Sequence, residues 1–69
     1  MPSPRPKLGP SDAAALYFRT SGRSIHPDTL SNRARRGEIR AEFTVGRRAN
    51  FEHDEIVRVA HADAQRAAR

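Results

Sequence analysis

Residues 28 to 36 hold an aspartate, two hydroxyls, an asparagine and three arginines: Asp28, Thr29, Ser31, Asn32, Arg33, Arg35 and Arg36. These types share one chemistry. Arginine offers a planar fork of donors that matches guanine edges and phosphate oxygens. Asparagine can pair twice with adenine, and aspartate accepts from the cytosine amino group. Threonine and serine hydroxyls suit phosphate contacts. The set is suited to reading base edges in a groove of duplex DNA. The competing interpretation is an ordinary solvated helix face.

One short helix over residues 27–36 must carry these side chains. His26 is the expected N-cap, with Ser24 a competitor, and Pro27 then occupies the first helical position. Ile25 before the cap and Leu30 at the fourth position have the spacing of a hydrophobic staple. Gly37 can adopt the left-handed conformation that ends the helix. Leu30 and Ala34 are its only apolar residues, so one narrow side packs. With those two facing inward, Asp28, Ser31, Asn32 and Arg35 line the outer side, flanked by Thr29, Arg33 and Arg36.

A second basic element follows. Residues 39–45 alternate apolar and polar, the period of a half-buried strand. Gly46, Arg47 and Arg48 form a turn, and Ala49, Asn50 and Phe51 return as a partner strand. Arg47 and Arg48 at the tip are candidates for a minor-groove or phosphate contact. Ordinary tip polarity, which protects an exposed hairpin edge, is the plainer alternative. A two-stranded ribbon is not stable alone. It must pack on the helices through Ile39, Phe43 or Val45, and Phe51.

Two further helices complete the fold. The first runs over residues 10–19, with Gly9 as N-cap and Pro10 at its start. Ala13, Leu16 and Tyr17 share a face, and Ala14 and Phe18 add a second apolar pair. Residues 20–24 are turn chemistry. The last helix begins near His53, which is the expected cap, and carries Ile56, Val59, Ala60 and Asp63 on one side. Its apolar stripe weakens toward the C-terminus, so fraying is expected after Ala64. The fold class is therefore α+β and mostly helical, in the order helix, helix, β-hairpin, helix: a small winged helix-turn-helix. The domain spans residues 8–64, between a proline-rich basic tail (1–7) expected to be disordered and a frayed end (65–69).

Composition narrows the function. The 69 residues carry a net charge of +5, with 12 arginines and one lysine among the basic residues. Such an excess favours encounter with polyanions. A GC-rich genome would also enrich arginine and alanine. Without cysteine, neither a disulfide framework nor a thiolate metal site is available. His53 and His61 are eight residues apart and not adjacent on a helix face, so no metal is expected. No glycine-rich phosphate loop, nucleophile motif or paired carboxylates point to an enzyme, and neither cofactor nor small-molecule substrate is implied. No apolar run suits a membrane span or a signal peptide. A soluble, cytoplasmic, nucleoid-associated protein is the expectation.

With these elements placed, the sequence resembles the excisionases of temperate phages, small recombination directionality factors with a MerR-like winged-helix fold. The matching residues are Arg23, Ser24 and Ile25; Thr29 and Leu30; Arg35 to Ile39; Gly46 and Arg47; and Phe51, Glu52 and His53. The stretch from Leu8 to Leu16 resembles the start of the family, and the likeness extends to about Ala60. It implies that the second helix enters the major groove and that base contacts fall on Asp28, Asn32 and Arg35. The family's wing arginine falls on Arg47. It further implies binding of attachment-site DNA, self-association of neighbouring copies, DNA bending, and promotion of integrase-mediated excision without strand cleavage. Many relatives have a tryptophan where this chain has Arg33, and His26 and Pro27 look inserted. A small MerR-like transcription regulator is the alternative, since such regulators share these short motifs. The short, alanine-rich last helix lacks the sustained heptads of an obligate coiled coil.

Overall fold

The computed structural model describes residues 7–46 and 48–68. Three helices and one antiparallel hairpin follow in the order α1 (Pro10–Ser21), α2 (Pro27–Arg35), β1 (Ala41–Phe43), β2 (Ala49–Phe51) and α3 (His53–Ala67). The architecture is α+β and mostly helical, as composition and patterning imply.

Local signals set the helix ends. Gly9 is the N-cap of α1, Pro10 opens it, and Asp12 sits in its first turn at the positive end of the helix dipole. Gly22 closes it at φ +76°, with its N–H donated to the Phe18 carbonyl at 2.8 Å. The helix thus reaches Ser21, slightly beyond the expected Arg19. α2 ends in a Schellman motif: Gly37 N–H reaches the Ala34 carbonyl (3.0 Å) and Glu38 N–H the Arg33 carbonyl (2.9 Å). Gly37 takes φ +82°, a conformation that costs a residue with a Cβ.

The core gathers one side of every element. Leu30, Ile39, Phe51 and Ile56 are the largest fully buried side chains. Each contributes about 1.5–3 kcal/mol of burial free energy. Ala13 and Ala60 are completely buried, and α1 packs chiefly on α3. Alanines on facing helices let the backbones approach closely. Leu8, Ile25, Ala41 and Val57 pack around the margin.

The hairpin pairs Ala41 with Phe51, Glu42 with Asn50 and Phe43 with Ala49. β1 is shorter than the alternation over residues 39–45 suggests. Ile39 is immersed in the core, and the Arg40 N–H is donated to the Glu55 carboxylate at 2.9 Å. At the other end, Thr44 N–H meets the Arg48 carbonyl at 3.0 Å and closes the turn. Ile39 and Phe51 bury as expected, whereas Phe43 is 45% exposed and Val45 wholly so. Phe18 is also half exposed, so the second apolar pair on α1 reduces to buried Ala14.

One feature has no counterpart in the sequence, and one differs from its expectation. Leu8 forms a bridge to the far edge of β2, exchanging both backbone hydrogen bonds with Phe51 at 2.8 Å. The hairpin is thereby tied to the chain segment that enters α1. In addition, α3 continues through Ala67, beyond the weakening of its apolar stripe at Ala64. Its N-cap is Glu52, not His53, which is already the first helical residue. Residues 1–6, most of the expected tail, and Arg69 lie outside the described residues; Lys7 forms an ion pair with Glu42.

Gly37→Ala tests the helix ending. No atom lies within 4 Å of a β-carbon built there, so the penalty is purely conformational. A loss of about 1–2 kcal/mol is expected, read as a fall in Tm of at least about 4 °C. An unchanged Tm would contradict the left-handed ending.

Candidate nucleic-acid interface

The cap of α2 is made by a histidine. His26 Nδ1 accepts the Asp28 N–H at 3.1 Å, and the His26 carbonyl accepts from Thr29 (2.9 Å) and Leu30 (3.3 Å). Ser24 is not the cap. Leu30 and Ala34 are buried, so their side of the helix faces the core. Asp28, Thr29, Asn32, Arg35 and Arg36 are exposed, and Ser31 is half-buried at the margin. Of the four residues that helical periodicity assigns to the outer side, Asp28, Asn32 and Arg35 are exposed, whereas Ser31 lies at the edge of the packed side. Arg35 Nη1 donates to Asn32 Oδ1 at 3.2 Å, which joins the two residues best suited to read bases. Arg36 Nε instead pairs with Glu38 at 2.8 Å.

Arg33 departs from the expected flanking role. Its side chain is only 17% exposed and is turned toward α3. Nη1 donates to Asp63 Oδ2 at 2.9 Å, and Nε lies 3.4 Å from Glu38 Oε1. The same Asp63 oxygen accepts the Tyr17 hydroxyl at 2.6 Å, while Oδ1 accepts from Arg66 at 2.7 Å. One carboxylate thus joins α1, α2 and α3.

The electrostatics follow from that geometry. The hydrogen bond to Asp63 raises the Arg33 guanidinium above its ordinary value. Burial, reinforced by the hydrogen bond to Asp63, raises the Tyr17 phenol. For Asp63 itself, burial pushes upward, but the bonds from Arg33 and Tyr17 and the nearby guanidinium charges outweigh it and hold the carboxyl below its ordinary value. A parallel arrangement ties α3 to Arg40, just before β1. The bonds from Arg58, aided by the Arg40 N–H, lower Glu55 to about 2.

The hairpin tip also differs from expectation. Arg47 lies outside the described residues. Arg48 is exposed but folds back over the start of α1. A β-carbon on Gly9 would sit 2.6 Å from its Nη2, so the missing side chain of Gly9 makes room for the guanidinium. Arg48 is thus directed away from the tip. Among the described residues, the side chains of Arg19, Arg23, Arg35, Arg40 and Arg48 have no carboxylate within ion-pair distance.

Beside the Asp63 network runs an open cleft of about 440 Å³ lined by Tyr17, Arg23, Arg33 and Arg66. Among the described residues, no cluster of three His, Cys, Asp or Glu side chains could hold a metal ion. No helix of the described residues is long and apolar enough to cross a membrane. No protein-family model, curated protein or solved structure matches the chain.

Sequence reasoning missed the Asp63 network, although a signal was present. Asp63 falls in register with Ile56, Val59 and Ala60, and an acid on a packing face calls for a cationic partner. Asp63→Ala should cost about 2–3 kcal/mol, because it strips charge-assisted bonds from Arg33 and the buried Tyr17 together. Urea unfolding measures it, and a change below about 0.5 kcal/mol would show the network to be peripheral.

Acid should act through the same carboxylates. A lowered carboxyl contributes stability in full above its unfolded value, here 4.5 for Glu55 and 3.8 for Asp63. That contribution drains as pH falls toward the folded values, about 2 for Glu55. The urea midpoint should therefore fall between pH 4.5 and about 2, and Glu55→Gln should flatten that slope. An equally steep slope in the variant would remove Glu55 from the account.

Proposed function

We propose that the protein is a sequence-specific, DNA-bending excisionase with a winged helix-turn-helix fold, which binds attachment-site DNA and directs a phage integrase toward excision. The observation that carries the DNA-binding reading is the outer face of α2. Asp28, Asn32 and Arg35 stand exposed on a short, doubly capped helix, and that helix is followed directly by a hairpin. α2 is the element that enters the major groove, where Arg35 pairs with guanine, Asn32 with adenine and Asp28 with a cytosine amino group. Thr29, Ser31 and Arg36 flank these contacts and position the helix on phosphates. Arg33 supports the face from behind.

The excisionase role rests on the resemblance of the short motifs from Leu8 to Ala60. In this role the protein is architectural and cuts no strand. Phosphate contacts set its register, the α2 residues choose the site, and neighbouring copies fill repeated sites. Bending the duplex costs a few kcal/mol that the added contacts offset.

A gel-shift titration on attachment-site DNA, beside a random duplex of equal length, tests the reading. Discrete, cooperative complexes that weaken steeply with salt are expected on the attachment site. Equal, smeared binding to both duplexes would leave a basic protein without site preference, and preferred binding to promoter DNA would favour a MerR-like regulator. Asn32→Ala and Arg35→Ala should each cost about 1–3 kcal/mol of binding and relax sequence preference. Intact affinity and preference in both variants would refute the assigned face of α2.

A further inference from the structure

Three guanidinium groups line one open cleft where α1 and α3 end. Arg33 donates to Asp63 Oδ2 and Arg66 to Asp63 Oδ1, so a single carboxylate holds the two side by side. Arg23 follows Gly22, which closes α1, and lines the same cleft of about 440 Å³. Its guanidinium is exposed and bonds to nothing among the described residues, while the Arg23 backbone N–H is donated to Ser21 Oγ at 3.1 Å. The acids nearby do not balance these cations. Arg33 also approaches Glu38, but Glu38 pairs more closely with Arg36. Asp63 and Glu38 therefore stand against Arg23, Arg33, Arg36 and Arg66, an excess of two positive charges. The carbonyl ends of α1 and α3 offset about half a charge each, which leaves the cleft with about one positive charge to spare.

We propose that this cleft is a phosphate clamp, in which Arg23 and Arg66 grip one backbone phosphate of the duplex that α2 reads, above Arg33 on the cleft floor; this rests on the DNA-binding reading above. Position selects the occupant. Arg33 shares one flank of α2 with exposed Thr29 and Arg36, four residues before it and three after. Thr29 and Arg36 are the side chains assigned to phosphates, so the cleft continues their row away from the base-reading face. Shape selects it too. A small-molecule site buries most of its ligand. This cleft is open, which suits one group carried on a polymer. Guanidinium forks match the oxygens of such a group. The footprint on DNA thus extends from α2 to the end of α3, and the clamp adds affinity without sequence information.

Phosphate contacts are blind to sequence, so a mixed-sequence duplex of about 30 bp serves as the probe. Fluorescence anisotropy follows its binding between about 50 and 200 mM salt. Wild type is compared with Arg23→Gln, Arg66→Gln and Arg19→Gln, the last removing an exposed charge of α1 that does not line the cleft. Arg23→Gln and Arg66→Gln should each bind several-fold more weakly and make the slope of log K against log salt shallower by about 1, whereas Arg19→Gln should keep the wild-type slope. A wild-type slope in either cleft variant, or an equal change in Arg19→Gln, overturns the clamp and leaves DNA binding standing. A Tm raised by inorganic phosphate beyond chloride of equal ionic strength, with unchanged slopes, would make the cleft a free-anion site and also overturns the clamp. Absence of wild-type binding to the duplex overturns the clamp and the DNA-binding reading together.

Discussion

The Asp63 carboxylate is the point at which three helices meet. It receives the Tyr17 hydroxyl from α1 and the Arg33 guanidinium from α2, and it belongs to α3. α2 needs this contact more than the other helices do. It has nine residues and buries only Leu30 and Ala34, one turn apart. So narrow a stripe leaves rotation about the helix axis weakly determined, because hydrophobic burial has no direction of its own. A charge-assisted hydrogen bond does have direction. By drawing Arg33 toward α3, it turns Asn32 and Arg35 outward. The face proposed to read DNA is thus oriented by an ion pair on the opposite side of the same helix.

The excess of positive charge is sorted in space. Acids pair with Arg33, Arg36, Arg58 and Arg66, the arginines that tie elements together or line the last helix. Arg35 stays without a carboxylate partner among the described residues, bonded only to Asn32. A net charge describes how strongly a polyanion is attracted from a distance. Which guanidinium groups remain to meet it depends on where the eight acids fold. The hairpin follows a similar division. Its inner end is anchored by Ile39, Phe51 and the Leu8 bridge, and its outer end carries apolar side chains into water.

Much of the fold was legible from residue types and spacing. Pro10 and Pro27 marked helix starts, Gly37 marked a stop, and the period-two run before Gly46 marked a strand. These signals act within a few residues, through φ preference, missing donors and capping bonds, so they survive without tertiary context. Boundaries that depend on distant partners were less legible. β1 stops short because Ile39 is claimed by the core and the Arg40 N–H by Glu55 on another helix. The reach of α3 to Ala67 accompanies bonds from Tyr17, Arg33 and Arg66 near its C-terminal end, where its own apolar stripe has faded.

The candidate site divides along the same line. The sequence by itself determined that Asp28, Asn32 and Arg35 would share one helix face, because residues three and four apart lie together on a helix; the Arg33–Asp63 ion pair decided how firmly that face points outward. Tertiary structure alone decided that Arg33 would face inward, that Arg36 would be held by Glu38, and that Arg48 would lie back over Gly9. A long, flexible side chain reaches whichever partner the packed elements bring near it. That partner stands thirty residues away for Arg33 and Asp63, a separation across which no local pattern in the chain carries information.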